Sequence, residues 1–218
     1  MTKLILPKKY LSYSAINSFL NYYPDFRKQY YEGAPFRMTP EVAFGSKYGK
    51  MIEKDHPATS HIKRYPVMEQ RLECEIEGIP FLGYIDSFDP MDCAILEYKT
   101  GVKAWNDKRV ADHLQLDIYS ICVEQLFGKV QDECELVWIK TKKVELPKEG
   151  RVTHMDSHTI ELHGKVKNFK RVITKDDREA AKAMIVEVAH AISEDYQEYL
   201  AGKESSKNRP MKGGRVAK

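Results

Sequence analysis

Hydrophobic spacing at the start of the chain predicts two helices. Residues 11–33 are rich in aromatic side chains, with Ser12 or Ser14 as the N-cap of a helix that Pro24 interrupts. A second helix is predicted over residues 43–54, where two glycines indicate close packing or the close approach of a ligand. The chain is therefore expected to begin with a helical segment.

Apolar and polar residues then alternate with the period of two that is typical of β-strands. This alternation covers residues 64–76, 79–88 and 93–100, with Glu77-Gly78 in the first gap and residues 89–92 in the second. Such short turns between neighbouring strands predict an antiparallel meander.

A helical period returns over residues 109–126. A strand is predicted at residues 133–142 and a polar hairpin at residues 158–173. Thr174 has the side chain of an N-cap and begins a long helix that is expected to end near Leu200. This order of elements predicts the α/β (α+β) class, with a central mixed β-sheet flanked by helices.

Composition limits the chain to one folded unit. Its 218 residues are 42% hydrophobic and 31% charged, enough to bury one core, which we expect to span residues 1–201 as a single domain. No apolar run approaches the roughly 20 residues of a membrane helix. The first ten residues lack the apolar region of a secretory signal. A cytoplasmic protein without a membrane partner is expected.

Positive charge is concentrated at the C-terminal end. Residues 202–218 carry six Lys or Arg and one Glu, whereas the preceding residues carry 29 basic and 31 acidic side chains, a net charge of about −2. Binding of nucleic acid must therefore depend on local clusters rather than on total charge. The tail is expected to be disordered, either as a solubilising extension or as a weak phosphate-attracting arm.

The four cysteines do not have the spacing of a metal site. Cys74, Cys93, Cys122 and Cys134 include no CxxC pair, so neither zinc nor an iron–sulfur cluster is expected. Four buried, reduced thiols are the simplest interpretation.

Candidate chemistry lies on two neighbouring strands of the meander. Alternation places Glu97 and Lys99 on the same face of one strand, and the turn can bring Asp86 of the preceding strand beside Glu97. Two carboxylates close to one ammonium group suit Mg²⁺ or Mn²⁺, and Lys99 could orient or deprotonate an attacking water. The alternative is an ordinary cross-strand ion pair worth ~0–1 kcal/mol.

Flanking residues extend this pattern into four ordered motifs. They are the aromatic opening around Pro24, the segment FGSKYGKMIE with Gly45 and Glu53, the series Glu69, Gly83, Ile85, Asp86, Glu97, Lys99 and Gly101, and the pair Gln115 and Tyr119. Together they resemble the PD-(D/E)xK nuclease superfamily in its RecB-type exonuclease branch, over about residues 10–145. The resemblance implies a restriction-endonuclease-like core.

The same resemblance implies a role for each matching residue. Asp86 and Glu97 would bind the metal, together with the Tyr98 carbonyl, and Lys99 would be the catalytic lysine. Gln115 and Tyr119 lie one helical turn apart and would both face the site, to position DNA or the lysine. The alternative for this pair is a helix surface that faces solvent or packs on the sheet.

Two departures from the motifs of the branch affect metal binding. Gly49 occupies the position of the usual histidine ligand, so Glu53 is expected to serve as a metal ligand instead. Tyr23 stands where a cysteine commonly precedes the proline, and the C-terminal cysteine cluster of the iron–sulfur members is missing from the sequence. We therefore expect no iron–sulfur cluster, and the number of metal ions stays open.

The loop that follows the catalytic strand has the composition of a nucleic-acid contact. It contains Lys103, Trp105 and Arg109, which could bind phosphate and stack on a base. The alternative is a surface loop whose tryptophan packs on the core.

The resemblance implies a divalent-metal-dependent DNA nuclease. It would hydrolyse phosphodiesters at DNA ends or in single strands during recombination, repair or phage DNA metabolism, alone or as a subunit of a recombination or replication complex. Two alternatives stay open: a nuclease fold that binds DNA or protein without turnover, and an unrelated α+β protein that matches by accident.

Overall fold

The computed structural model describes residues 4–129, 132–147 and 158–202. In chain order, these ranges contain α1 Tyr13–Asn21, α2 Tyr23–Tyr30, α3 Pro40–Glu53, a 3₁₀ turn Pro57–Thr59, β1 Val67–Ile76, β2 Ile79–Asp89, β3 Ala94–Gly101, α4 Asp107–Ala111, α5 Leu114–Phe127, β4 Glu133–Glu145, β5 His158–Val172 and α6 Lys175–Leu200. The predicted order of helices and strands is confirmed except at residues 109–126 and 158–173.

A single mixed sheet forms the centre of the fold. Its five strands lie in chain order, and β1, β2 and β3 pair antiparallel as the predicted meander. β3 and β4 pair parallel, which requires the crossover through α4 and α5, and β5 pairs antiparallel with β4. The mixed sheet flanked by helices confirms the predicted fold class.

Helices cover both faces of the sheet. α1, α5 and α6 pack on the face that carries Ile95 of β3, and α3 packs on the opposite face, which carries Leu96. Neighbouring strand residues point to opposite faces, so β3 contributes to both cores. α5 lies between the sheet and α6, and all of its residues from Leu114 to Val123 are buried.

Helix starts follow the capping signals in the sequence. Ser12 accepts a hydrogen bond from the Ala15 amide at 3.2 Å, and Pro24 lies in the first turn of α2, where its missing N–H costs nothing. Thr174 and Asp177 form a capping box at the start of α6. Local chemistry therefore sets these boundaries.

Two predicted elements need correction. The helix expected over residues 109–126 is broken at His113, whose φ of −89° and ψ of 88° are not helical. The hairpin expected at residues 158–173 is one long edge strand, β5. Gly164 does not turn the chain: with φ of +85° it lies where the register with β4 shifts, as in a β-bulge.

The expectation of four reduced thiols is wrong for one pair. Cys74 of β1 and Cys122 of α5 form a disulfide, with their Cα atoms 5.9 Å apart, whereas Cys93 and Cys134 are free and buried. β1 packs against α5, and this contact between residues 48 apart in sequence was not visible in cysteine spacing.

Two further predictions concern the basic C-terminal tail and membrane-spanning helices. The basic tail, residues 202–218, lies outside the described residues except for residue 202. Among the helices of the described ranges, none has the length and apolar character needed to cross a membrane.

Candidate active site

The candidate site lies where β2 and β3 separate. Their hydrogen-bonded ladder ends at the pair Ser87 and Leu96, and one step further the same register places Asp86 opposite Glu97. Instead of a strand partner, the Tyr98 amide donates a hydrogen bond to Asp86 Oδ2 at 2.7 Å. Asp86 therefore stands beside Glu97, as strand alternation predicted.

Glu97, Lys99 and Gln115 form one hydrogen-bonded network. Lys99 Nζ donates to Glu97 Oε1 at 2.6 Å and to Gln115 Oε1 at 2.7 Å. The amide nitrogen of Gln115 donates to Glu97 Oε1 at 2.8 Å. Glu97 is 3% exposed, while the Lys99 side chain is 24% exposed, so the lysine is the member that substrate could reach.

Tyr119 completes the network from the next turn of α5. Its hydroxyl accepts a hydrogen bond from Gln115 Nε2 at 2.9 Å. The ring packs so closely over Gly83 that an added Cβ would lie 2.8 Å from Tyr119 Cε1. Gly83 therefore makes room for the ring, and the predicted pair on one helix face does point at Lys99.

A buried ion pair positions the start of α5. Arg171 of β5 lies 2.6 Å from Asp117 Oδ1 and donates a hydrogen bond to the His113 carbonyl at 3.0 Å. Because Gln115 lies between these two residues, the arginine holds the glutamine over β3. Nothing in the sequence indicates this role for Arg171, since its partners are more than 50 residues away.

Burial controls the charges in the network. Burial and the adjacent Asp86 carboxylate raise the pKa of Glu97 to about 8, although Lys99 lowers it. Burial also raises the pKa of Asp86, against the lowering effects of Lys99 and the Tyr98 amide. Burial lowers the pKa of Lys99, but the two carboxylates raise it by more. Two carboxylates thus face one ammonium group, and a further cation would be stabilised here.

A divalent metal fits these residues. Glu97 Oε2 is buried beside Asp86 and has no hydrogen-bond donor among the described residues, so a bound cation would supply the partner that this oxygen lacks. Within residues 4–129, 132–147 and 158–202, no group of three or more His, Cys, Asp or Glu is arranged around a metal position. Asp86 and Glu97 would therefore hold Mg²⁺ or Mn²⁺ together with waters, a common arrangement for Mg²⁺.

A cavity of about 510 Å³ opens between α3 and the sheet. Its lining includes Asp86 and Tyr98 together with Glu53 and Gly49 of α3. Glu53 thus shares a cavity with one of the two candidate metal carboxylates, while Glu97 and Lys99 lie on the α5 side of β3. A Cβ added at Gly49 would meet no atom within 4 Å.

Glu69 is a site residue to which the motif comparison gave no role. It stands opposite Asp86 in the register of β1 and β2, and its φ of +52° is unusual for a residue other than glycine. Burial, then Asp86 and Glu53, raises the pKa of the Glu69 carboxyl. In the sequence, the only indication of this role is the position of Glu69 at the start of the motif series that ends at Gly101.

The loop after β3 divides into exposed and buried residues. Lys103 is exposed. Trp105 is 8% exposed and packs with Trp138 and Phe169, so the structure favours the core alternative over base stacking. Arg109 stacks on Trp105, with Cζ 4.0 Å from the ring centroid. The Trp105 ring is therefore occupied by protein contacts in this conformation, and only Lys103 and Arg109 keep the predicted composition of a phosphate contact.

Comparison with protein families agrees with the geometry. The family model described as the PD-(D/E)XK nuclease superfamily matches residues 58–205, about two thirds of the chain. The chain belongs to this superfamily. Its match includes Asp86, Glu97, Lys99, Gln115 and Tyr119. A search of curated proteins found no match.

Two solved structures match this PD-(D/E)XK chain at low sequence identity. A provisionally assigned exonuclease from Eubacterium rectale has a TM-score of 0.52 at 13% identity, covering 90% of this chain and 83% of the other. A phage-related exonuclease from Haemophilus somnus 129PT has a TM-score of 0.43 at 12% identity, covering 87% and 82%. At such identities, the first likeness shows the fold alone, and the second is too low to support an argument.

The Glu53 position of this nuclease-superfamily chain can be tested by metal titration. Glu53→Gln is expected to raise the Mn²⁺ concentration for half-maximal cleavage by roughly 3- to 10-fold, ~0.7–1.4 kcal/mol, because it removes one negative charge from the cavity that contains Asp86. Gly49→His is expected to lower that concentration, since open space surrounds the position and imidazole is a metal ligand.

A matched control for this titration is Glu187→Gln, which makes the same change on the exposed surface of α6. Its Mn²⁺ requirement should equal that of the wild type. If neither Glu53→Gln nor Gly49→His moves the titration, α3 has no part in metal binding.

Proposed function

We propose that this chain is a divalent-metal-dependent deoxyribonuclease of the RecB-type branch, which removes nucleotides from DNA ends or single strands. The observation that carries the proposal is the buried Glu97 Oε2, which has no hydrogen-bond partner among the described residues, while Oε1 of the same carboxyl is bonded to Lys99. A recombination, repair or phage DNA pathway, with or without a protein partner, belongs to the same proposal.

The proposed chemistry is hydrolysis of a phosphodiester. The bound cation would activate a water molecule and neutralise phosphate charge. Lys99 has the more exposed side chain of the network, so its ammonium group can orient the attacking water and stabilise charge that develops on the phosphate.

The α5 residues would have a positioning role. Gln115 binds both Lys99 and Glu97, which fixes the distance between the ammonium group and the carboxylate. The Tyr119 hydroxyl accepts from the same amide and so fixes its orientation. Preorganised groups of this kind need little rearrangement when charge develops.

Cleavage of labelled DNA tests the proposed function. End-labelled single-stranded DNA, duplex DNA and matched RNA would be incubated with Mg²⁺, Mn²⁺ or EDTA, beside closed circular single-stranded DNA. We expect DNA cleavage with either metal and none in EDTA, with mononucleotides released from linear DNA and the circle left intact.

Other outcomes distinguish the alternatives. Cleavage of the circle would identify an endonuclease and overturn the exonuclease part of the proposal. Binding of DNA without cleavage in either metal would favour a nuclease fold that acts as a binding module.

A further inference from the structure

A second group of polar and aromatic side chains surrounds the start of α5. The His113 ring lies 5.6 Å from the Tyr13 ring and 4.9 Å from the Trp105 ring, measured between centroids. The Arg109 guanidinium lies 4.0 Å from the Trp105 ring centroid. We call Tyr13, Trp105, Arg109 and His113 the Trp105 cluster. Trp105 and Arg109 are both predicted above to contact DNA. Because the Trp105 ring is occupied by protein contacts, Arg109 is the member of the cluster that remains available for such a contact.

Two buried nitrogens in this cluster lack partners. Arg109 Nε and His113 Nε2 are both buried, and neither makes a hydrogen bond within the described part of the chain. No ion pair joins Arg109 to a carboxylate of the described residues, although Arg109 is half-buried. Arg109 Nε–H is a donor in every protonation state, so its burial without a partner costs free energy and points to a missing acceptor.

The electrostatic surroundings favour an anion as that acceptor. Burial, followed by Lys99, Arg171 and Arg109, lowers the pKa of His113 well below its usual value, so three cations lie within electrostatic reach of one ring. Asp117 neutralises Arg171, and Glu97 is bonded to Lys99, but Arg109 has no such counterion in the described ranges. The cluster therefore carries a positive charge, on Arg109, that no carboxylate of the described residues balances.

Arg109 also has the geometry of a phosphate ligand. Stacking on Trp105 fixes the guanidinium plane, which leaves its terminal N–H groups free to bind two oxygens of one phosphate. The Tyr13 side chain lies within electrostatic reach of both Lys99 and Arg109, so it connects the cluster with the proposed catalytic lysine.

We propose that Arg109, aided by the Tyr13 hydroxyl, binds a phosphate group of the DNA strand next to the phosphate that is cleaved at Lys99. This subsite rests on the proposed function. Binding at this subsite would fix the position of the DNA strand. Each phosphodiester in turn would then lie at Asp86 and Glu97, the carboxylates that would hold the metal. A contact made equally before and during the reaction affects KM rather than kcat.

Methylphosphonate scanning tests the subsite. An octanucleotide would carry one uncharged methylphosphonate at each linkage in turn, and its Kd would be measured by fluorescence anisotropy in EDTA. We expect one position to weaken binding to the wild type by about tenfold and to have no further effect on Arg109→Gln, because the same contact is already lost. With the unmodified strand, Arg109→Gln should raise Kd by about tenfold and lower the salt slope by about 0.7.

Lys129→Gln is the matched control. It removes the same charge beyond the opposite end of α5, about 20 Å from Gln115 by helix rise. Its affinity should equal that of the wild type. If Lys129→Gln weakens binding as much as Arg109→Gln, or if the methylphosphonate penalty persists in Arg109→Gln at every linkage, the subsite does not exist.

Two further measurements keep the result decisive. Arg109→Lys retains the charge but loses the planar guanidinium, so it should bind the strand with intermediate affinity. Unchanged affinity would overturn the two-point contact of the guanidinium with the phosphate, also where Arg109→Gln fails to fold. Metal-dependent cleavage by the wild type is scored separately. Its absence would refute the proposed nuclease activity, whereas a missing Arg109 effect with normal cleavage would refute the subsite alone.

Discussion

Glu97→Gln and Asp86→Asn are each expected to reduce metal-dependent DNA cleavage by at least about 10³-fold, since metal catalysis supplies several kcal/mol and each 1.36 kcal/mol is tenfold in rate. Both substitutions keep the size of the side chain, and the amide oxygen introduced by Asp86→Asn can still accept from the Tyr98 amide. The measurement is the initial rate with end-labelled DNA at saturating Mg²⁺. Asp92→Asn, on the exposed turn before β3, is the control and should cleave normally. Cleavage at the wild-type rate by either Glu97→Gln or Asp86→Asn would refute the site.

Stability in EDTA gives the same prediction a second measurement. The pKa of Glu97 is raised to about 8 in the folded protein, from a usual value of 4.5. Ionisation of Glu97 therefore destabilises the fold as the pH rises through this interval. Glu97→Gln removes that penalty, so its Tm relative to the wild type should rise between about pH 4.5 and 8 and level off above. A Tm difference that stays constant over this interval would show that Glu97 ionises at no cost to the fold, and a difference that falls would show that the fold favours the ionised carboxylate.

Lys99→Ala is expected to lower kcat by about 10²- to 10⁴-fold with little change in KM. Its ammonium group is bonded to Glu97 and Gln115 and has the more exposed end of the network, where the attacking water and the phosphate would lie. Other phosphate contacts would still hold the substrate. Single-turnover rates at varied DNA concentration separate the two constants.

The control for this variant is Lys129→Ala, which removes a lysine beyond the far end of α5 and should leave both constants unchanged. A Lys99→Ala protein with normal kcat and a raised KM would reduce Lys99 to a simple phosphate contact. Full activity would exclude it from the site.

Much of the candidate site was predictable because it depends on short-range geometry. Strand alternation places Glu97 and Lys99 on one face whatever the strand packs against, and a four-residue turn limits how far Asp86 can lie from Glu97. The helical repeat likewise aligns Gln115 with Tyr119. These relations hold within one strand, one turn or one helix.

Residues that act across the fold were not predictable in the same way. Arg171 positions α5 through contacts with residues more than 50 positions away, and Cys74 reaches Cys122 only because β1 packs on α5. Glu69 lies opposite Asp86 by strand register. Composition could not decide whether Trp105 stacks on a base or on the core, because both environments suit an indole ring.

Local sequence thus determined the class of the fold, most element boundaries and the grouping of Asp86, Glu97 and Lys99. Caps, turns and hydrophobic period depend on neighbouring residues alone, so a chain met for the first time already contains them. Tertiary structure decided that Glu97 Oε2 and Arg109 Nε are buried without a partner among the described residues, and that the cavity beside Asp86 opens between α3 and the sheet. Burial and pairing are properties of the whole packed molecule, and they set the charges on which the proposed chemistry depends.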